Sequence, residues 1–426
     1  MFINIISGIV MLGAVGIILL RTLTKSGLPI EQNILTTSTY QNNGFSSTTR
    51  ETASVFGLSL LFRAIVFIVS IFAIFITTNS SFSIDKLLKA YMQWDANNYY
   101  RIALGGYSYH IEDGMYTTLA FFPLYPWCVR AVNLLFQNLT VSGIITSSLL
   151  YSGGCALLYK LMSFDYNKST AVRCVVFISI FPHSFFFGTM MSESMFFFTS
   201  ATTLYYIRRH DWIRAGVFGA FASMSRLAGV LLVIPATVEW LEHYQIIELL
   251  RRKSYIKIRK LFYKKALWIL LMFMGIIVYL FCNYQTSGDC FKFMEYQNIV
   301  WNNTTVYWGE CLSIILKQIQ TRDSFTVFSI WIPELVSIVF VVMLLIYGLR
   351  KTRNMYTSYL AVYIIINMSM AWPLSIARYM SCAIPAFMIL SEFSERHRWC
   401  EHIITTVIAI LFGIFFTAYF MGKQIM

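Results

Sequence analysis

The segment "VFGLSLLFRAIVFIVSIFAIFI", residues Val55–Ile76, decides the fold, because it holds a single charged side chain, Arg63, among mostly apolar residues. A helix of about 20 such residues is long enough to cross the hydrocarbon core of a bilayer. Further apolar runs lie near Val141–Met162, Ala171–Ile180, Met195–Ile207, Ala215–Trp240, Ala266–Phe281, Phe325–Tyr347, Tyr356–Trp372, Ile376–Leu390 and Ile403–Phe420. We therefore predict an all-α, polytopic transmembrane helical bundle with roughly ten spans and additional re-entrant or interfacial helices.

The composition supports a membrane protein and argues against a nucleic-acid-binding one. The 426 residues are 57% hydrophobic and only 12% charged, whereas soluble domains carry about twice that charged fraction. The net charge of +13 comes from Lys and Arg that gather in short loops beside apolar runs. This distribution is typical of the positive-inside rule and needs no polyanionic partner.

The chain begins with an apolar run, "FINIISGIVMLGAVGIILL" (Phe2–Leu20), which a polar tract follows. It is long for a signal-peptide core and has no basic region before it, so we interpret it as a signal anchor or an appended helix. We divide the chain into an N-terminal extension, residues 1–54, and a transmembrane domain, residues 55–426.

Basic clusters between the apolar runs predict the orientation in the membrane, because Lys and Arg stay on the cytosolic side. The clusters are "IRRHDWIR" (Ile207–Arg214), "LLRRKSYIKIRKLFYKK" (Leu249–Lys265), "LRKTR" (Leu349–Arg353) and "SERHR" (Ser394–Arg398). The loops at about 77–119 and 283–325 then face the opposite, lumenal side.

Two apolar segments must differ from single membrane-spanning helices if the predicted orientation is to hold along the whole chain. Phe121–Phe136 is short and contains Pro123 and Pro126, so we predict a re-entrant or interfacial helix there. The run Ala215–Trp240 is long and carries Arg226 near its middle. We predict a helical hairpin that turns near Arg226 and presents this side chain on the lumenal side.

One lumenal stretch, "QWDANNYYRIALGGYSY" (Gln93–Tyr109), places Asp95 directly after Trp94 among aromatic residues. Apolar surroundings desolvate a carboxylate and make it a stronger proton acceptor. An acid at a membrane surface usually has a partner or a task. The alternative is structural, since Asp95 could cap an interfacial helix that starts at this position.

Four further polar residues lie within or beside apolar helices. Arg226 and Arg378 are single arginines at membrane depth, where a guanidinium either pairs with a carboxylate or recognises an anion such as phosphate. His183 and Glu193 precede or begin an apolar helix, "FPHSFFFGTMMSES". Glu193 either stabilises that helix start through the dipole or faces Asp95 across a shared cavity.

Several kinds of site are not indicated by the sequence. The chain has no GxxxxGK[ST] phosphate loop, no Asp-x-Asp pair and no Cys pair at CxxC spacing, so we expect no metal site. His110, Glu112 and Asp113 are interpreted as solvated loop residues. One disulfide among Cys282, Cys290 and Cys311 is left open, and Asn302 and Asn303 are the most credible of six glycosylation sequons.

Five stretches occur together in one order: "WDANNYYRIALGGYSY", "AFFPLYPWCVRAV", "FPHSFFFGTMMSESMFF", "FASMSRLAGVLL" and "ARYMSCAIPAF". Together they resemble the PIG-V family, GPI mannosyltransferase 2, over most of the chain from about Leu58 onward. Residues 1 to about 50 have no counterpart in that pattern. The resemblance implies a GT-C-type fold and an endoplasmic reticulum membrane protein with a lumenal active site.

The same resemblance implies the reaction. Such enzymes take mannose from dolichyl-phosphate mannose, and this family adds the second, α-1,6-linked mannose to a mannosyl-glucosaminyl-phosphatidylinositol lipid. The change from a β-linked donor to an α-linked product implies one inversion, with Asp95 as the base. Arginines can stabilise the leaving phosphate, so no cofactor is expected and a metal is not obligatory. A small membrane accessory subunit is an expected partner.

From the resemblance and the residue chemistry we predict a set of site residues. Asp95 is the catalytic residue. The predicted donor-binding residues are Trp94, Tyr99, Phe122, His183, Glu193, Arg226 and Arg378. Three other functions stay open: another dolichyl-phosphate-mannose enzyme with a different acceptor or linkage, a lipid transporter or flippase, and a non-catalytic subunit of a glycosylation complex.

Overall fold

The computed structural model describes residues 2–29, 42–78 and 83–425, and within these ranges the chain is helical with no β-strand. The helices are α1 (Phe2–Lys25), α2 (Thr49–Thr78), α3 (Ile84–Ala90), α4 (Asp95–Gly105), α5 (Leu124–Phe136), α6 (Leu139–Met162), α7 (Lys168–Ile180), α8 (Glu193–Arg208), α9 (Trp212–Ser225), α10 (Val233–His243), α11 (Ile246–Arg251), α12 (Tyr255–Lys264), α13 (Met274–Ser287), α14 (Lys292–Trp301), α15 (Trp308–Thr321), α16 (Ser324–Thr326), α17 (Ile332–Lys351), α18 (Asn354–Met368), α19 (Ile376–Met380), α20 (Ile384–Arg396) and α21 (Arg398–Phe420). The predicted all-α class is confirmed.

Six helical segments among the described residues are long and apolar enough to cross a membrane: Ile3–Lys25, Thr49–Ile76, Leu139–Met162, Ala266–Ser287, Ser324–Lys351 and Arg398–Phe420. This count is lower than the roughly ten predicted spans because the prediction also included shorter helices. Helices such as α7, with 13 residues, are about 20 Å long, which is shorter than the hydrocarbon core of about 30 Å. They pack inside the bundle, where Cys174 and Phe177 of α7 are fully buried.

The segment predicted to be re-entrant or interfacial forms the short helix α5, which begins after Pro123. At 13 residues it is too short to cross the bilayer unaided. One face is buried through Tyr125 and Val129, while Leu134 and Leu135 are each 80% exposed. This pattern fits a helix that packs against protein on one side and faces lipid on the other.

Helix α1 is part of the bundle core. Met11, Ala14 and Ile18 are buried in the main hydrophobic cluster, and the guanidinium of Arg21 is fully buried beside the backbone carbonyl of Thr352, 3.5 Å away. The apolar segment of the N-terminal extension thus packs against the same helices that build the rest of the molecule.

The predicted hairpin at Arg226 is confirmed. Helix α9 ends at Ser225, Arg226 adopts an extended backbone, and a 3₁₀ helix, Leu227–Leu232, returns along α9. The two arms pack so closely that a Cβ atom on Gly229 would overlap the backbone of Ala222. Arg226 therefore lies at the tip of a tight turn, which fixes the direction of its side chain.

Substituting Gly229 tests this close approach. We expect Gly229→Ala to reduce the yield of folded protein sharply, because the obstacle is backbone and not a movable side chain. The matched control is Gly13→Ala in α1, where a Cβ atom would meet nothing within 4 Å. Size-exclusion profiles of the two purified variants in detergent provide the comparison, and a normal profile for Gly229→Ala would contradict the packing.

Candidate active site

A cavity of about 460 Å³ lies where both predicted lumenal loops meet the tip of the Arg226 hairpin. Its walls come from five parts of the chain: Asp95 and Tyr99 of α4, residues 120–122, residues 225–228, α14 with Asn303, and residues 363–379 with Gln424. The volume falls in the range of small-molecule sites and is large enough for a sugar and a phosphate group.

Asp95 is the first residue of α4, and the residue before it has an unusual backbone. Trp94 has φ 49°, a region that costs on the order of 1–3 kcal/mol for a non-glycine residue unless its surroundings hold it there. Its ring packs against Tyr419 and Phe186, with centroid distances of 5.2 and 6.2 Å. These contacts hold the turn that directs Asp95 into the cavity.

The carboxylate of Asp95 forms an ion pair and does not cap its helix. Its Oδ2 accepts a hydrogen bond of 2.8 Å from Nη1 of Arg378, and the side chain remains 27% exposed. The residue at the cap position is Trp94, which makes no side-chain cap. The capping interpretation is therefore not supported, and the carboxylate is left with access to the cavity.

Arg378 is buried and bridges two acids. Besides Asp95, it binds Oε1 of Glu193 through Nε at 2.7 Å and Nη2 at 2.6 Å. Its guanidinium also lies over the ring of Phe186, 4.6 Å from the centroid. Since Arg378 is only 1% exposed, it lies behind the cavity wall and acts on the site through the two carboxylates.

Glu193 is the centre of this charge cluster. Its Oε1 also accepts a 3.1 Å hydrogen bond from Nη1 of Arg226, while its Oε2 is buried without a hydrogen-bond partner in the described part of the chain. The four charges of Asp95, Glu193, Arg226 and Arg378 sum to zero. Because Arg226 keeps 18% side-chain exposure and lines the cavity, it is the cation that a ligand can contact.

His183 lies away from the cavity. It is 1% exposed, packs 5.0 Å from the ring of Phe415, and both ring nitrogens lack a hydrogen-bond partner among the described residues. Burial lowers the pKa of His183 to about 3, with the positive charge of Arg378 as the second cause. The imidazole is neutral at physiological pH and supports the loop before α8.

Two aromatic residues of the predicted set line the cavity. Tyr99 packs edge-on against Phe121 and donates a 2.8 Å hydrogen bond to Oγ of Ser192, the residue that precedes Glu193. Phe122 stacks on Tyr279 with ring centroids 3.9 Å apart. The cavity lining thus includes Asp95, Tyr99, Phe122 and Arg226 of the predicted residues, whereas Trp94, His183, Glu193 and Arg378 pack behind it.

The structure adds lining residues that the sequence did not indicate. Gln297 and Trp301 come from α14, and the segment after it is held over the cavity because the amide of Ala371 donates a 2.8 Å hydrogen bond to the carbonyl of Thr304. Tyr379 also lines the cavity, with Arg226 stacked on its ring at 4.5 Å. The one feature of the sequence that could have indicated Tyr379 is its position next to Arg378.

Other predicted features can be placed as well. All eight cysteines are free thiols, so no disulfide forms among Cys282, Cys290 and Cys311. Asn302 is exposed, whereas Asn303 lines the cavity. Within the described ranges, no three His, Cys, Asp or Glu side chains are grouped as a metal site would need. The sequon at Asn79 lies outside the described residues.

Comparison with known proteins gives one partial family match. Residues 122–279 match the model of the family described as dolichyl-phosphate-mannose-protein mannosyltransferase. The match covers fewer than half of the residues; it includes Phe122, Glu193 and Arg226 but neither Asp95 nor Arg378. A search of curated proteins gave no significant match.

Among solved structures, the chain is similar to the archaeal oligosaccharyltransferase AglB from Archaeoglobus fulgidus, solved with an inhibitory peptide and a dolichol-phosphate. The alignment has 11% identity and a TM-score of 0.41, and it covers 87% of this chain. This chain spans about half, 55%, of that protein's length, and no argument is built on a likeness this distant. Over residues 122–279 the chain is therefore similar to this mannosyltransferase family, and its described residues include six helical segments of membrane-spanning length.

Proposed function

We propose that this protein transfers the second, α-1,6-linked mannose from dolichyl-phosphate mannose to the mannosyl-glucosaminyl-phosphatidylinositol precursor of GPI anchors, at the lumenal face of the endoplasmic reticulum. The observation that carries the proposal is the cavity in which a partly exposed carboxylate, Asp95, lies beside a cavity-lining guanidinium, Arg226. The order of the five sequence motifs supplies the acceptor and the linkage.

The proposed reaction is a single displacement. The 6-hydroxyl of the acceptor mannose gives its proton to Asp95, its oxygen attacks the anomeric carbon, and the bond to the phosphate oxygen breaks. Dolichyl phosphate leaves with the electron pair. One negative charge thus moves from Asp95, which Arg378 contacts, to the leaving phosphate, which Arg226 would bind, so the charge cluster stabilises both the start and the end of the step.

The residues that line the cavity support a reaction with inversion at the anomeric carbon. Among the described residues that line the cavity, Asp95 is the only acid, and a retaining route needs a second carboxylate as nucleophile. Glu193 is fully buried and holds two arginines, so it is positioned to support the site and not to attack a sugar. Phe122, Tyr99 and Trp301 offer ring faces for the sugar and the lipid-linked phosphate.

The two arginines are proposed to act differently, and this division is testable. Arg226 lines the cavity and would bind the donor phosphate, whereas buried Arg378 would orient Asp95. We expect Arg226→Lys to raise the KM for dolichyl-phosphate mannose about 10- to 100-fold, as the loss of a charged hydrogen bond does. Arg378→Lys should mainly lower kcat. Equal changes in both parameters for both variants would contradict the division.

Complementation tests the function itself. Cells that lack the second GPI mannosyltransferase should regain surface GPI-anchored proteins when they express the intact chain. The same cells with Asp95→Asn should accumulate the one-mannose precursor, which thin-layer chromatography of labelled lipids detects. If the intact chain is well expressed and the one-mannose lipid persists, the GPI assignment is wrong.

A second candidate follows from the printed description of the matched family, which names a protein as the mannose acceptor. In that case the chain would use the same donor and the same base but would modify serine or threonine hydroxyls. Incubating purified enzyme and radiolabelled donor with the lipid acceptor or with a Ser/Thr-rich peptide separates the two. The GPI proposal requires label in the lipid alone.

A further inference from the structure

The helix α12 (Tyr255–Lys264) precedes a candidate membrane span whose later part contacts the active-site cavity. It ends just before the span Ala266–Ser287, which is about 33 Å long at 1.5 Å per residue. The far part of that span reaches the cavity, because its Tyr279 stacks on the cavity-lining Phe122. Tyr279 lies 13 residues after Ala266, so roughly 20–25 Å of helix separates the end of α12 from this contact, and α12 ends where the span begins.

This region has a concentrated positive charge. Residues 251–265 contain eight Lys and Arg and no acid. Arg251 and Arg252 pair with Glu248 at 3.0 and 2.7 Å, whereas none of the ion pairs among the described residues involves the lysines of this segment. Five of these lysines line one concave surface of about 830 Å³, namely Lys253, Lys257, Lys260, Lys264 and Lys265. No acid is among its described lining residues.

The helix also presents bare apolar side chains next to the lysines. Tyr255, Ile256, Phe262 and Tyr263 are 62%, 81%, 44% and 62% exposed. At 100° per residue these four fall within an arc of about 120°, which also holds exposed Arg259, whose long side chain can reach the headgroup level. Lys257, Lys260 and Lys264 fall in a stripe of about 60° beside it. Leu261 faces the bundle, against which it is partly buried.

We propose that α12 and the five-lysine concavity bind anionic phospholipid of the membrane leaflet that faces them. A helix with an exposed apolar arc and an adjacent lysine stripe lies in the plane of a membrane interface. Its rings and Ile256 then enter the acyl boundary while the ammonium groups meet lipid phosphates and carboxylates. The positive-inside rule accounts for the presence of Lys and Arg here, but not for their convergence in one concavity beside exposed apolar side chains.

The test is native mass spectrometry of the full chain, purified in detergent and titrated with palmitoyl-oleoyl phosphatidylserine against phosphatidylcholine. The intact chain should bind the anionic lipid on the order of 100-fold more tightly. The triple variant Lys257→Gln/Lys260→Gln/Lys264→Gln should lose most of that preference, since one lysine near a membrane surface contributes about fivefold in affinity. Three lysines together correspond to a loss on the order of 100-fold.

Two control variants test whether the preference for anionic lipid depends on positive charge and on the position of the lysines. The triple Lys→Arg variant at the same positions keeps the charge and should keep the preference. Lys86→Gln/Lys89→Gln removes charge from α3, on the cavity side of the membrane, and should also keep it. None of these side chains is buried or lines the active-site cavity, so the variants should elute as folded protein.

Three results would overturn the proposal: an unchanged preference in the Gln triple variant, an equal loss in the Arg triple variant, or full displacement of the lipid by inorganic phosphate at equal concentration. The last result would mean a site for free phosphate and not for lipid. The measurement uses lipid binding alone, so its outcome is independent of whether the sugar acceptor proposed above is correct.

Discussion

Asp95→Asn is expected to lower kcat by about 10²- to 10⁴-fold, the contribution of a positioned general base. The substitution keeps the size of the side chain, and its amide oxygen can still accept the hydrogen bond that Arg378 now donates to Asp95. The fold and the donor site should therefore persist while the ability to take a proton is lost. Turnover of dolichyl-phosphate mannose by purified enzyme measures the effect.

The control for this prediction is Asp113→Asn, which changes an exposed acid of the same loop. Its kcat should equal that of the intact enzyme. The KM for the donor should change little in Asp95→Asn, because the proposed phosphate contact is Arg226. A turnover within threefold of the intact enzyme for Asp95→Asn would remove this residue as the base.

Glu193→Gln is expected to have the largest effect on stability. Glu193 is fully buried between Arg378 and Arg226, and its Oε1 accepts hydrogen bonds from both. Removing the charge leaves buried Arg378 and partly exposed Arg226 with only Asp95 to balance them, which costs about 3–5 kcal/mol of unfolding free energy. Thermal unfolding in detergent should shift down by roughly 3–6 °C for a chain of this length.

The matched control is Glu295→Gln, which breaks an exposed ion pair with Lys292 and should cost about 1 kcal/mol or less. A double variant, Glu193→Gln/Arg226→Gln, restores the charge balance and should recover part of the lost stability. Strictly additive losses in the two single variants and the double variant would contradict the shared charge cluster.

Only part of the candidate site could be predicted from the sequence. Asp95, Arg226 and Arg378 were recognised because charged residues are rare in apolar sequence, and the structure brings all three into one cluster. His183 was selected on the same ground, yet it packs among aromatic rings away from the cavity. A charged or titratable residue in an apolar run indicates a polar environment, but not which side of a cavity wall it occupies.

The sequence alone determined that the chain is an all-helical membrane protein, that it turns back at Arg226 and that Asp95 is an acid placed among aromatic residues after the first long apolar helix of residues 55–426. These properties follow from local hydropathy and from residue types that a bilayer tolerates only at particular places. Only the tertiary structure decided that six helical segments within residues 2–29, 42–78 and 83–425 reach spanning length, that Arg378 contacts Asp95 across 283 positions of chain, and that α14 lines the cavity. Such pairings depend on how distant helices pack, because burial and ion pairing are set by neighbours in space, which hydropathy along the chain does not encode.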